Sequence, residues 1–151
     1  MFRNRRNNVL LFGSRRLFSA KKIVLTQTKW RINGMKKVGI FMADGCEEIE
    51  ALTPVDLLRR AGEDVCTVSI MGRKEVTGSH KITILADETI EEGEFDDGDM
   101  LVLPGGMPGT LNLAGNETLA ALIRSYDDRG KKLAAICAAP SILGVMGILK
   151  D

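Results

Sequence analysis

Residues 38–43 read VGIFMA, an almost unbroken apolar run of strand length that ends at once in the polar turn Asp44-Gly45-Cys46. A strand apolar on both of its alternating sides suits a parallel sheet whose two faces are covered by helices. Two more runs share this character: MLVL at 100–103, before Pro104-Gly105-Gly106, and LAAI at 133–136, before Cys137. Helical patterns lie between them. Thr53-Pro54 reads as the cap and first helical position of a helix that Gly62 closes. Asn116 caps a second, with Leu119, Leu122, Ile123 and Tyr126 on one face and Gly130 as its stop, and Pro140 opens a third. Residues 65–70 and 80–86 read as further strands, and the acidic stretch 91–99 as a surface loop. The repeated strand–helix–strand order predicts an α/β domain, a doubly wound and mainly parallel sheet with helices on both faces. Its ligand site should lie beyond the carboxyl ends of the strands.

The 151 residues, 44% hydrophobic and 27% charged, suit one compact soluble domain and are too apolar for a disordered chain. The net charge of +1 conceals two unlike segments: residues 1–34 hold nine Lys/Arg and no acid, whereas residues 35–151 hold twelve against twenty Asp/Glu. An acidic body argues against nucleic acid as the main partner. The basic leader, with Leu10, Leu11, Phe12, Leu17 and Phe18 among its arginine pairs, has the composition of a mitochondrial presequence. Met35-Lys36-Lys37 before an apolar strand also reads as a true start, with residues 1–34 as upstream read-through. On either reading residues 1–34 stay outside the fold, and the domain is 35–151. No apolar run reaches the roughly 18–20 residues of a membrane span. Three cysteines outside any CxxC pattern and a single histidine, His80, argue against a disulfide framework or zinc site and for reduced thiols in a cytoplasm-like compartment.

Three turns at carboxyl ends of strands, 44–50, 104–109 and 136–140, should converge. Cys137 stands between a buried strand and the helix that Pro140 opens, the elbow that presents a nucleophile, where helix-start amides favour the thiolate. The competing reading is a small buried core residue. Glu47, Glu48 and Glu50 either face water near a helix start or supply one carboxyl that passes protons beside the thiol. Pro104-Gly105-Gly106 is either an ordinary turn or a place where main-chain N–H groups come close enough to hold an oxyanion. His80 reads as a surface or edge residue, Cys46 and Cys66 as structural or incidental.

The segments KKVGIFMADGCEEIEALTPVDLLRRAGEDV, DDGDMLVLPGGMPGTLNL and KKLAAICAAPSILGVMGIL, at 36–65, 96–113 and 131–149, together resemble the ThiJ/PfpI family, and within it the deglycase branch. The resemblance implies a flavodoxin-like fold, commonly a homodimer, with no metal or organic cofactor. It implies Cys137 as nucleophile, Glu50 as its carboxyl partner, Gly106 and Ala138 as oxyanion amides, and Gly105 and Arg60 as weaker substrate-binding positions, Arg60 near an anion site across the dimer. Ala138 stands where the protease-like branch has histidine, and Ala135 and Ala139 where amidotransferases have glycine, so neither activity is expected. The implied activity is that of a glyoxalase or protein deglycase acting on methylglyoxal-type dicarbonyls, free or as adducts on protein thiols and amines. The alternatives are a non-enzymatic redox sensor or chaperone-like stress protein using Cys137, and an inactive fragment. The family also implies elements beyond Asp151, including a site histidine; the chain as it stands is therefore expected to expose apolar surface near its end and to be close to inactive.

Overall fold

The structure is a computed structural model, in which residues 35–149 are described. The readings of the basic leader therefore lie outside the described residues. Among the described residues there are seven strands, β1 Lys37–Met42, β2 Asp64–Ser69, β3 Glu75–Thr77, β4 Thr83–Leu85, β5 Glu88–Thr89, β6 Met100–Leu103 and β7 Lys132–Ala135, and four helices. The helices are α1 Glu48–Arg60, α2 Gly109–Ala114, α3 Glu117–Asp128 and α4 Pro140–Val145. Five strands form one sheet in the order β5-β2-β1-β6-β7, every pairing parallel. The expected doubly wound α/β architecture is present.

Side-chain alternation along β1 divides the core in two. Val38, Ile40 and Met42 pack with Ala51 and Val55 of α1 on one face, while Phe41 and Ala43 pack on the other with Leu113, Leu119, Ile123 and Tyr126 of α2 and α3. Each face thus has its own apolar layer, which explains why the β1 sequence is apolar throughout. After β1 the chain builds outward through β2 and β5, then returns to place β6 on the opposite side of β1. The crevice between the ends of β1 and β6 is the switch point of the sheet, where such folds bind ligands.

Several sequence expectations need correction. The first helix begins at Glu48 rather than at Thr53-Pro54, because the Glu47 carboxylate caps it by accepting from the N–H groups of Ile49 (2.7 Å) and Glu50 (3.1 Å). Pro54 lies inside the helix, so its missing N–H leaves the Glu50 carbonyl without the usual bond from four residues on. Glu50 is consequently in the first helical turn and not in a loop. The expected strand 80–86 is in fact the second half of a separate antiparallel hairpin, β3–β4, and His80 belongs to its turn. Asn116 and Pro140 do open α3 and α4, and Gly130, at φ +64°, follows α3. Ile136, Val145 and Leu149 are exposed.

Candidate active site

The turns after β1, β6 and β7 meet beside Gly105. Its N–H donates to Glu50 Oε2 at 2.8 Å. A Cβ added to Gly105 would stand 2.8 Å from that oxygen, 2.9 Å from Cys137 Cβ and 3.0 Å from Ala138 N. Only glycine lets these three groups close on one point. The loop is tied from the other side, where Glu47 N–H donates to Gly105 O at 3.0 Å.

Cys137 is exposed and sits at φ +59°, a left-handed conformation that costs a non-glycine residue of order 1–3 kcal/mol. The tight turn between β7 and α4 holds it there, with Ala139 N–H on Ile136 O at 3.1 Å and Ser141 Oγ on Ala138 O at 2.7 Å. The buried-core reading of this cysteine is excluded by its exposure. Among the described residues, the Gly106 and Ala138 N–H groups have no acceptor, and Glu50 Oε1 receives no donor. The site therefore offers a thiol, a half-buried carboxyl with one free oxygen, and two uncommitted amides. Such a set can add a thiolate to a carbonyl, steady the resulting oxyanion and move a proton.

The three acids of this segment have separate tasks. Glu47 caps α1, Glu50 turns to Gly105, and Glu48, 4% exposed, turns to the β3–β4 hairpin. There it accepts from His80 N–H (2.8 Å) and from His80 Nδ1 (2.8 Å), which carries the proton because an ionised carboxylate can only accept. This pairing was not legible in the sequence, since its partners lie thirty-two residues apart. Burial alone would raise Glu48, but the His80 ring and main-chain N–H groups outweigh it and bring the carboxyl down to about 2. The same carboxylate raises His80 above its usual 6.5. Because Glu48 is lowered from 4.5, its contribution to stability is present above that value and lost as pH falls toward 2. His80, being raised, contributes fully below 6.5 and loses its contribution as pH climbs through its folded value. Melting temperature should accordingly decline on both flanks, and His80→Gln should remove the alkaline decline due to this pair; an identical alkaline profile in the variant would contradict the assignment.

Glu47, Glu48 and His80 form a compact donor group, but their atoms are engaged with one another and with the α1 cap, so no ion is assigned to them. Asp44, beside them, binds Thr77 N–H (2.9 Å) and Arg73 (2.6 Å), which overcome its burial and hold it below the ordinary carboxylate value. Cys46 is fully buried and Cys66 half-buried, and burial pushes both thiols up to about 11, in keeping with structural roles. Arg60 pairs with Asp56 at the far end of α1, ten residues or about 15 Å along the axis from Glu50, so it is not part of this chain's own cluster. A cavity of about 330 Å³ walled by Lys37, Asp64, Cys66, Phe95 and Tyr126 includes the starts of β1 and β2 and none of the reactive groups.

A family model described as the DJ-1/PfpI family matches residues 36–151, nearly the whole of the acidic segment that holds this cluster. The chain belongs to the DJ-1/PfpI family. The ThiJ/PfpI resemblance is thereby confirmed. Over 113 residues the chain is 35% identical to Protein dj-1beta of Drosophila melanogaster, covering 75% of this chain and 60% of that one. It is 34% identical over 119 residues to Protein DJ-1 homolog B of Arabidopsis thaliana, covering 79% and 27%. A deglycase of Thermococcus kodakarensis is 37% identical over 115 residues, covering 76% and 68%. Among solved structures, an oxidized Toxoplasma gondii DJ-1 superposes with a TM-score of 0.71 at 35% identity, covering 76% of this chain and 62% of that one. The chain thus spans well under two thirds of several DJ-1 relatives.

Proposed function

We propose that this DJ-1/PfpI protein is a cofactor-free, cysteine-dependent enzyme acting on methylglyoxal-type dicarbonyls or on their adducts with protein thiols and amines. The observation that carries the reading is the convergence of an exposed, left-handed Cys137 with Glu50 at Gly105. The Thermococcus kodakarensis relative is itself named a deglycase. In the proposed reaction the Cys137 thiolate adds to the aldehyde carbon, and the oxygen, held by the Gly106 and Ala138 amides, takes a proton to complete a hemithioacetal. Glu50 Oε1 removes the hydrogen of that carbon as a proton and returns it to the neighbouring carbon, converting the hemithioacetal into a thioester of the 2-hydroxy acid. Water cleaves the thioester, giving lactate and restoring the thiol, so methylglyoxal plus one water becomes lactate with no external oxidant. We take Cys137, Glu50 and the Gly106 and Ala138 amides as a sufficient site, in place of the near-inactivity that the family resemblance implied; lactate formation by the purified chain tests this directly, and its absence would reject the reading.

A second reading has its own support in the oxidized Toxoplasma relative. Cys137 would be oxidised by peroxide to a sulfinic acid steadied by Glu50, signalling without turnover. Intact-mass analysis during peroxide titration, looking for two added oxygens on Cys137, separates it from an inert fragment.

We also propose a homodimer, supported by Ile49 (72% exposed), Leu52 and Leu57 (59%) on the outer side of α1. Ile49→Glu should shift sedimentation from dimer to monomer without unfolding the chain. A wild-type chain that sediments as monomer at high concentration would oppose it. We propose a reducing compartment such as the cytoplasm, a reading supported by three free thiols.

A further inference from the structure

Glu47 is a junction. One carboxylate oxygen caps the N–H groups of Ile49 and Glu50, the other stands 3.7 Å from His80 Nδ1, and its main-chain N–H binds the carbonyl of Gly105. Gly105 in turn holds Glu50 through its own N–H. The hairpin that carries His80 is bolted to the same place: Gly45 N–H donates to Thr77 O and Ser79 N–H to Cys46 O, both at 2.8 Å. Among the described residues, every ion pair of Glu47 and Glu48 is with His80. Glu47 and Glu48 therefore share one neighbouring cation, while Glu50 is tied to Glu47 through Gly105, and that cation is the one side chain type whose charge changes near neutral pH.

We propose that His80 is a pH-sensitive positioning residue for Glu50, acting through Glu47 and Glu48 on the first turn of α1. With the ring charged, Glu47 and Glu48 are held toward the hairpin, the cap stays closed, and Glu50 keeps its place on Gly105. When the ring loses its charge, Glu47 has no opposite charge beside it and is left facing Glu48. The capped turn then loosens, and the carboxyl departs from its place beside Cys137. The charged groups facing the ring are Glu47 and Glu48 of the α1 start; its own turn adds the Ser79 hydroxyl at 3.1 Å and the neighbouring Lys81, while Asp44 and Arg73 pair with each other at 2.6 Å. The ring is largely exposed, so its titration is set by Glu48, through its hydrogen bond and charge, and by Glu47, which raise His80 above its usual 6.5.

The proposal rests on Glu50 being the carboxyl that works with Cys137, so its test reads position and thiol reactivity instead of turnover. In the full chain, ¹H–¹⁵N spectra from about pH 5 to about pH 8 follow the Gly105 amide together with the His80 ring. The Gly105 resonance should move with the His80 midpoint, and Cys137 alkylation by iodoacetamide should inflect there by about two- to thirtyfold. His80→Gln should abolish both inflections at that midpoint, and His80→Arg should hold the low-pH values throughout. A Gly105 amide that stays fixed while the wild-type ring titrates would overturn the proposal, as would an inflection that survives in His80→Gln. If Gly105 follows His80 but no lactate forms, the functional reading falls and the positioning stands.

Discussion

Cys137→Ser is expected to consume no methylglyoxal above the uncatalysed rate, and Glu50→Gln to lower the rate by on the order of 10²–10⁴-fold, both with the fold intact. The serine hydroxyl keeps the size and turn geometry of the thiol but is not ionised near neutral pH, so carbonyl addition stops. The glutamine amide can still accept the Gly105 N–H through its carbonyl oxygen, which preserves the 2.8 Å contact while removing the group that carries the proton. Far-UV dichroism and melting curves should therefore match the wild type while turnover does not. A Cys137→Ser chain with near-wild-type rates would remove the thiol from the reaction altogether. A Glu50→Gln chain as active as wild type would return Glu50 to the role of a helix-start acid facing water.

Gly106→Ala should be the most destabilising small substitution in the site. Its φ is +89°, and a Cβ there would lie 2.4 Å from Glu47 N, 2.7 Å from Cys46 C and 2.8 Å from Gly45 O. All three are main-chain atoms, so no rotamer change relieves the overlap. The left-handed backbone costs about 1–2 kcal/mol for a residue with a Cβ, and displacing packed main chain adds about 1–3 kcal/mol. Together these should lower the melting point by roughly 10 °C. Gly130→Ala is the control, because Gly130 has nearly as unfavourable a φ, +64°, with nothing within 4 Å of its Cβ position. Equal melting points for the two variants would mean that the loop after β6 does not pack closely on the loop after β1.

The parts of this fold that announce themselves in the sequence are those whose physics is local. VGIFMA and MLVL are apolar on both sides because helices cover both faces, and Asn116 with its periodic leucines and isoleucine defines α3 without any tertiary help. Pro54 misleads because proline so often opens a helix, whereas here a glutamate cap six residues upstream of Thr53 has already started one. The hairpin strands Glu75–Thr77 and Thr83–Leu85 have three residues each, too few for alternation to register, and α2 has six. In the site, the elbow made Cys137 visible. Residue spacing alone could not choose among Glu47, Glu48 and Glu50, since each task depends on a partner elsewhere in the chain: the α1 amides, His80 and Gly105. The resemblance to a family singled out Glu50, and its hydrogen bond from Gly105 N–H is the contact that sets it apart from Glu47 and Glu48.

Incubating the purified chain with a large excess of methylglyoxal and following products by ¹H NMR decides whether Cys137 turns over. Lactate should accumulate to many equivalents per protein molecule, with Cys137 recovered as free thiol. Loss of about one equivalent of methylglyoxal into a lasting Cys137 adduct, with no lactate, would contradict it: the thiol would then be a scavenger or sensor and not a catalyst.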